Sequence, residues 1–201
     1  MAGGAIAGAG LLAARRYYRN WGTTKEECES TLPGDQLVAE PAVQTTEGIW
    51  IDAPAAQVWP WLVQMGHDRG GMYSYEKLEN LVGIRHPNAD RIHPEWQHLA
   101  VGDVIRLAPR GWMGLHDGIA LPVLRVIEGE AIVLRLQPPL DGVWSFHLQA
   151  RWEDRCRLLV RTRSRARVPG EALGAEAAGP VMALMTRGML LGIKRRVEQS
   201  F

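Results

Sequence analysis

The stretch that decides the fold lies in the last third of the chain, where residues 143–152 are VWSFHLQARW and residues 155–168 are RCRLLVRTRSRARV. Apolar and polar side chains alternate along both segments, as in antiparallel strands with one buried and one solvated face. The apolar side of the first segment consists of Trp144, Phe146, Leu148, Ala150 and Trp152. The polar side of the second carries arginines at 161, 163, 165 and 167. We expect this arginine row to be solvated, so that reversing its charges would barely alter folding.

The rest of the pattern predicts an α+β domain. Four further strands are expected, at 43–52, 101–107, 118–127 and 131–137. Helical spacing predicts two short helices after the first strand, and Gly179-Pro180 predicts the start of a long C-terminal helix. An antiparallel sheet must bury its apolar face, and this helix is the only element long enough to cover it. We therefore predict a helix-grip fold, in which a curved antiparallel sheet wraps a long C-terminal helix.

The composition argues against several classes of function. The chain has 201 residues, of which 46% are hydrophobic and 22% charged, and its formal net charge is +1. These values indicate a globular protein with no global attraction to nucleic acid, so we expect no nucleic-acid partner. The sequence has no zinc signature, phosphate-binding glycine motif or dinucleotide fingerprint, and we expect neither a metal nor a cofactor. Cys28 and Cys156 form no Cys-x-x-Cys pair and are expected to be reduced, in a cytoplasmic protein.

Two segments precede the predicted domain. Residues 1–21 combine an uncharged run, GGAIAGAGLLAA at 3–14, with a basic and aromatic cluster. The run is shorter than the about 20 residues of a membrane span, and its positive charge follows it, unlike that of a secretory signal. A membrane-proximal helix and a frayed helix in solution both remain open interpretations. Residues 22–42 are polar and predict an irregular arm that leads into a helix-grip domain at 43–201.

Several motifs carry a resemblance to a known superfamily. They include VWPWLVQMG at 58–66, RGGMYSY at 69–75, RIHPE at 91–95 and MLLGIKRR at 189–196. In these motifs and their order, the chain resembles the SRPBCC superfamily, which includes START domains, the birch-pollen-allergen fold and polyketide cyclase/dehydrase-like proteins. The uncharacterised bacterial branch is the most similar. The resemblance implies a cavity for a hydrophobic ligand between the sheet and the C-terminal helix, but it implies no shared set of catalytic residues.

The candidates for ligand contact come from three regions. The glycine-rich loop 66–72 would act as a gate or let backbone approach another element closely. Arg69 within the loop, and Tyr73 and Tyr75 just after it, would orient a ligand at the cavity mouth. Arg69 would equally suit an ion pair. The tryptophans before the loop suit either the cavity wall or the core, and methionines on the closing helix suit flexible apolar ligands. The full set is Trp59, Trp61, Met65, Arg69, Tyr73, Tyr75, Trp144, Phe146, Met185 and Met189.

Two functions compete for this predicted cavity. The first is binding of a hydrophobic small molecule, such as a lipid, a polyketide-like compound or an aromatic compound. The second is a cyclase/dehydrase-like enzyme, which needs a titratable group inside the cavity. The predicted inward positions of the last two strands, such as Trp144, Phe146 and Val160, provide almost no such group. Binding is therefore favoured, in a cytoplasmic protein that contacts a membrane only if residues 1–21 do so.

Overall fold

The computed structural model describes residues 18–84, 87–138, 140–166 and 168–199, and its elements follow the predicted order. The arm contains helix α1 (Lys25–Glu29) and a 3-10 turn (Asp35–Val38). Strand β1 (Val43–Ile51) is followed by helices α2 (Ala55–Val63) and α3 (Glu76–Leu81). The other elements are β2 (Val104–Ala108), β3 (Ile119–Ile127), β4 (Ala131–Leu136), β5 (Asp141–Trp152), β6 (Arg155–Arg165) and helix α4 (Pro169–Glu198).

The six strands form one antiparallel sheet in the order β1-β6-β5-β4-β3-β2. Strand β1 therefore lies at an edge, beside β6, while β2 to β6 are sequential neighbours. The register sets Glu47 opposite Val160 and Trp144 opposite Thr162. Directly opposed side chains share one face of a sheet, and this is the face that α4 covers. The curved sheet and the long helix confirm the predicted helix-grip fold.

The packed core surrounds the C-terminal half of α4. Met189, Leu190, Ile193 and Val197 lie on one side of the helix and are buried against α2 and the inner face of the sheet. This spacing of about three to four residues is the apolar stripe of a core-facing helix. The described part of the N-terminal half of α4 is less buried and covers the other end of the sheet. The two halves of α4 therefore differ in how fully they are buried against the sheet.

The prediction that the C-terminal helix starts at Gly179-Pro180 is wrong. Helix α4 begins at Pro169, after Val168 in extended conformation, and Pro180 lies inside it. Proline favours the first turn of a helix because its missing N–H needs no partner there, so Pro169 is as good a start as Pro180. An internal proline removes one helical hydrogen bond. The helix continues past it, and α4 packs on β1.

The arm at 22–42 is not irregular, contrary to the prediction. Thr24 begins α1 with a capping box: its Oγ1 accepts a hydrogen bond from Glu27 N, and the Glu27 carboxylate accepts one from Thr24 N. Val38, in the 3-10 turn, is buried against Val133 and Val143 on the outer face of the sheet. The arm is therefore a second layer over the face that alternation alone predicts to be in water.

This layer buries Arg161, which was expected to be solvated, and also Arg157 on the same strand. Arg161 is 1% exposed and Arg157 is 2% exposed. Arg161 Nη1 donates to Asp35 Oδ2 at 2.6 Å, and its Nη2 donates to the backbone oxygen of Glu27 at 2.6 Å. Arg157 donates to both carboxylate oxygens of Glu27, at 2.7 and 2.8 Å. The expectation was wrong because the arm supplies the acidic and carbonyl partners that water would otherwise provide.

The arginines further along the row are more exposed. Arg163 Nη1 lies 3.2 Å from Asp35 Oδ2. Arg165 is exposed and its Nη1 lies 3.7 Å from Asp141 Oδ2, whereas position 167 lies outside the described residues. Of the described members of the row, only Arg165 matches the expected solvated face.

The same layer covers a buried histidine on β5. His147 Nε2 lies 2.9 Å from Ser145 Oγ, which donates a hydrogen bond to the backbone oxygen of Arg161. Burial lowers the pKa of His147 to about 4, and the charge of Arg161 acts in the same direction. His147 is therefore neutral at pH 7, as part of the structural layer between arm and sheet.

Candidate functional site

A cavity of about 120 Å³ lies between the inner face of the sheet and the N-terminal half of α4. The sheet lines it with Val43, Thr45, Glu47, Leu107, Leu136, Trp144, Thr162 and Ser164. The helix lines it with Ala178, Gly179, Met182, Ala183 and Thr186. An engineered apolar cavity of about 150 Å³ binds benzene, so this one has space for an aromatic ring or a short acyl chain.

The cavity exists because α4 presents small side chains to the sheet at this point. Ala178, Gly179 and Ala183 line it, whereas Met189 and Ile193 fill the corresponding space further along the helix. A core of folded protein is normally packed without voids of this size. The sequence signal for the space was available in the small residues of α4.

Trp144 forms the aromatic wall of the cavity. It lies on β5, and its ring centroid is 4.7 Å from that of Phe146, which belongs to the packed core. Residues two apart on a strand point to the same face, so Phe146 supports the indole from within the sheet's inner row. The aromatic wall is therefore continuous with the packed core.

Glu47 is the acidic group of the cavity among the residues that the structure describes. It lies on the inner face of β1 and is only 4% exposed. The Thr186 side chain on α4 hydrogen-bonds the carboxyl group, while Oε2 is buried without a partner among the described residues. Burial raises the pKa of Glu47 to about 8, which the hydrogen bond to Thr186 opposes only in part. At pH 7 this side chain is therefore mainly a neutral carboxylic acid.

Sequence reasoning overlooked Glu47, although the signal was present. The predicted first strand places Val43, Thr45, Glu47, Ile49 and Ile51 on one side, and the structure confirms this face over Val43, Thr45, Glu47 and Ile49 by register with β6. A lone glutamate in an otherwise apolar inward row marks either a wrong register or a buried acid. The inward positions of β5 and β6, to which the prediction was limited, provide almost no titratable group, whereas the inward face of β1 provides Glu47.

The mouth of the cavity is formed by residues from three parts of the chain. Tyr18 and Arg19 line it from the N-terminal side, with the Tyr18 ring packed on Gly179, where a Cβ would lie 3.1 Å from Tyr18 Cε2. Leu140 and Met182 complete the mouth and are 41% and 53% exposed. Exposed apolar side chains next to an apolar cavity would accommodate the part of a ligand that extends outwards.

The ten predicted ligand contacts are mostly elsewhere. Trp144 alone of these ten lines the cavity. Five of the others are buried in the packed core, and Trp59 packs against it; the five are Trp61, Met65, Tyr73, Phe146 and Met189. Trp61 and Tyr73 pack edge to face, with ring centroids 5.7 Å apart, and the Tyr73 hydroxyl donates to the backbone oxygen of Trp61 at 3.2 Å. The tryptophan-rich helix thus contributes to the core, one of the two roles open to it.

The glycine-rich loop is also outside the cavity lining. Reciprocal hydrogen bonds join Gly66 and Gly71, and Arg69 Nη1 donates to the backbone oxygen of Val63 at 3.5 Å. Tyr75 packs closely on Gly188, and Ser74 Oγ donates to the backbone oxygen of Met185, which places this methionine beside the loop. The close approach to α4 is therefore made by the residues just after the loop, against the helix glycine Gly188, whereas the loop glycine Gly71 approaches Asn88 too closely to leave space for a Cβ.

Neither a membrane span nor a metal cluster is present in the described part of the chain. There, no helix is long and apolar enough to cross a membrane. No group of three or more His, Cys, Asp or Glu side chains in the same residues is placed to hold a metal ion. The predicted membrane contact falls mainly on residues 1–17, which lie outside the described residues.

Comparison with known proteins gives likenesses of fold. No protein-family model and no curated protein matches the sequence. Similar solved structures include a Polyketide_cyc-like protein from Corynebacterium glutamicum, with 13% identity, a TM-score of 0.47, and coverage of 80% of this chain and 94% of that chain. A START superfamily protein from Mycobacterium smegmatis has 12% identity and a TM-score of 0.38, and covers 79% of this chain and 99% of its own.

A third similar structure is the self-sacrificing resistance protein CalC from Micromonospora echinospora, with 10% identity, a TM-score of 0.44, and coverage of 78% of this chain and 95% of that chain. Identities and TM-scores this low carry no argument about ligand or activity. The helix-grip assignment itself follows from the element order and sheet topology of this chain.

Proposed function

We propose that the protein binds a small hydrophobic molecule in the cavity between the sheet and α4. The observation that carries the proposal is an apolar space of about 120 Å³ at a position where the fold would otherwise place core side chains. Ligand sites are typically concave and apolar, with a few polar groups that fix orientation. The wall of Trp144 and the polar groups of Glu47 and Thr186 match this description.

The size of the cavity limits what lies inside it. One aromatic ring or a short acyl chain fills the enclosed part, and a longer ligand extends past Met182 at the mouth. Lipid, polyketide-like and aromatic compounds all have such a part.

The test is uptake of isopropylbenzene by the protein labelled with ¹³C at methionine methyl groups. We expect a saturable shift of the Met182 signal, because this side chain lines the cavity. Ala183→Phe would fill the cavity and abolish the shift while keeping the fold, and Leu184→Phe, at an exposed position outside the lining, is its matched control. In a filled core, Ala183→Phe would instead lose about 1–3 kcal/mol by overpacking. A loss of stability of this size in Ala183→Phe would contradict the proposal. So would a Met182 signal whose shift does not saturate as isopropylbenzene is added.

A second candidate, a cyclase/dehydrase-like enzyme, has one observation in its favour. Glu47 is a buried titratable group in the cavity, and general acid–base catalysis by a carboxyl requires a pKa near the working pH. Such an enzyme would remove a proton from the carbon next to a ketone and return one from solvent. Deuterium exchange at the methyl group of acetophenone in D₂O tests this. Acceleration by the native protein but not by Glu47→Gln would favour the enzyme, and equal rates would favour a binding protein.

A further inference from the structure

We propose that Glu47 is a hydrogen-bond donor that selects a neutral ligand carrying an acceptor oxygen, such as a ketone, over a pure hydrocarbon. The inference rests on the proposed binding function and names the chemical class of its ligand. It stands on the place of Glu47 on the inner face of β1, in the lining of the cavity.

The hydrogen bonding of Glu47 is incomplete in the protein itself. Thr186 satisfies one part of the carboxyl group, and Oε2 is buried with no partner among the described residues. A buried polar atom without a hydrogen bond destabilises a protein, and natural structures contain few of them. The cavity next to Glu47 has space for the missing partner, which would be an atom of the ligand.

The charges around Glu47 favour a neutral ligand. Among the described cavity-lining side chains, Glu47 is the acidic one and Arg19 the cationic one, and burial is the cause that raises the pKa of Glu47. On α4, Arg187 follows Thr186, but its guanidinium lies 4.7 Å from the centroid of the Trp21 ring. On β6 the residue opposite Glu47 is Val160. A neutral carboxylic acid in these surroundings donates a hydrogen bond to an acceptor atom. Beside Glu47, Val160 and Thr186 offer a ligand anion no positive charge, and Arg19, the cation among the described lining residues, belongs to the mouth of the cavity.

The ligand class follows from this donor and the apolar wall. The ring or chain packs on Trp144, and the acceptor oxygen of the ligand receives the hydrogen bond from Glu47. A hydrocarbon of the same shape leaves the acid unsatisfied. When Glu47 is ionised it becomes an acceptor only, so a ketone loses its partner at high pH.

The experiment compares acetophenone with isopropylbenzene, which has a similar shape but no acceptor oxygen. Dissociation constants of both probes are measured at pH 6 and pH 9.5 on the native protein, Glu47→Gln and Glu47→Leu. We expect the native protein to prefer acetophenone by about tenfold at pH 6, the value of one hydrogen bond, and to lose this preference at pH 9.5. Glu47→Gln keeps a donor that does not titrate, so its preference persists at both pH values. Glu47→Leu has no preference at either.

Each contrary outcome has a distinct meaning. Equal affinity of the native protein for both probes at pH 6, or an undiminished preference in Glu47→Leu, overturns the role of Glu47 but leaves the binding function intact. Failure of both probes to bind the native protein at either pH overturns the proposed function as well. Because Glu47→Gln is isosteric and uncharged, we expect it to fold at least as stably as the native protein. Its amide does not titrate between pH 6 and pH 9.5, so a pH-dependent preference for acetophenone in this variant would also overturn the inference.

Discussion

On the outer face of the sheet, the buried Arg161 donates hydrogen bonds to Asp35 and to backbone oxygens of the arm. On the inner face, Glu47 is buried to a similar degree beside a cavity, and a threonine side chain is its one partner among the described residues. The two groups differ in what surrounds them rather than in how deeply they lie. The outer group is nearly satisfied by the protein, which points to a structural role. In the inner group, Glu47, the Oε2 atom is buried without a hydrogen-bond partner among the described residues, which leaves it available to a ligand.

The largest expected effect separates the buried and exposed members of the arginine row. Arg161→Ala removes the main partner of Asp35, and breaking a buried ion pair destabilises a protein by about 3–5 kcal/mol. Arg165→Ala, at an exposed position of the same strand, should change the free energy of unfolding by no more than about 0.5 kcal/mol. Urea unfolding measures both. Equal destabilisation by the two variants would mean that the arm does not cover this face in solution.

The next effect concerns the pH dependence introduced by Glu47. Its pKa is raised from 4.5 to about 8, so its stabilising contribution is full below pH 4.5 and is lost as the pH rises towards 8. Each pH unit in this window is equivalent to about 1.4 kcal/mol. From pH 5 to pH 7, the native protein should therefore lose about 3 kcal/mol relative to Glu47→Gln in chemical unfolding. Parallel stability curves for the two proteins would show that Glu47 is hydrated.

His147 should produce a pH dependence of the opposite sign. Its pKa is lowered from 6.5 to about 4, so its contribution is full above pH 6.5 and is lost as the pH falls towards 4. Between pH 6 and pH 4.5 the native protein should lose about 2 kcal/mol relative to His147→Gln. Titration of the NMR signal assigned to His147 near pH 6.5 in the folded protein would contradict the burial of this side chain beneath the arm.

The smallest expected effect tests the hydrogen bond between Thr186 and Glu47. Thr186→Val removes a bond that lowers the pKa of Glu47, so the midpoint of the ¹³C carboxyl titration should move upwards. The free energy of unfolding should fall by about 1 kcal/mol. Thr162→Val alters another hydroxyl of the cavity lining and serves as the control, with an unchanged midpoint. Identical midpoints in both variants would place the Glu47 carboxyl away from α4.

Alternation along the strands was sufficient to predict the inner face of the sheet, because its period of two follows from backbone geometry. It could not distinguish water from a second layer of protein on the outer face. Glu27 and Asp35 in the arm were the signal for that layer, but nothing in the sequence shows which charges meet across 126 and 130 residues. The fold could therefore be predicted more fully than its outer layer.

The candidate site was predicted less well than the fold. Large aromatic and methionine side chains were expected to surround the ligand, but most of them fill the core, since large apolar groups are the best core formers. The cavity instead lies where α4 has alanine and glycine, and where β1 has a glutamate. Space is created by small residues, and the position of small residues in three dimensions depends on how the helix lies on the sheet.

The most direct measurement of the central claim is a high-resolution crystal structure of the protein soaked with acetophenone at pH 6. The account predicts density for the ring against Trp144, between β1 and α4, with the ketone oxygen about 2.7 Å from a carboxyl oxygen of Glu47. A cavity filled by repacked side chains, or acetophenone bound only outside it, would contradict the account.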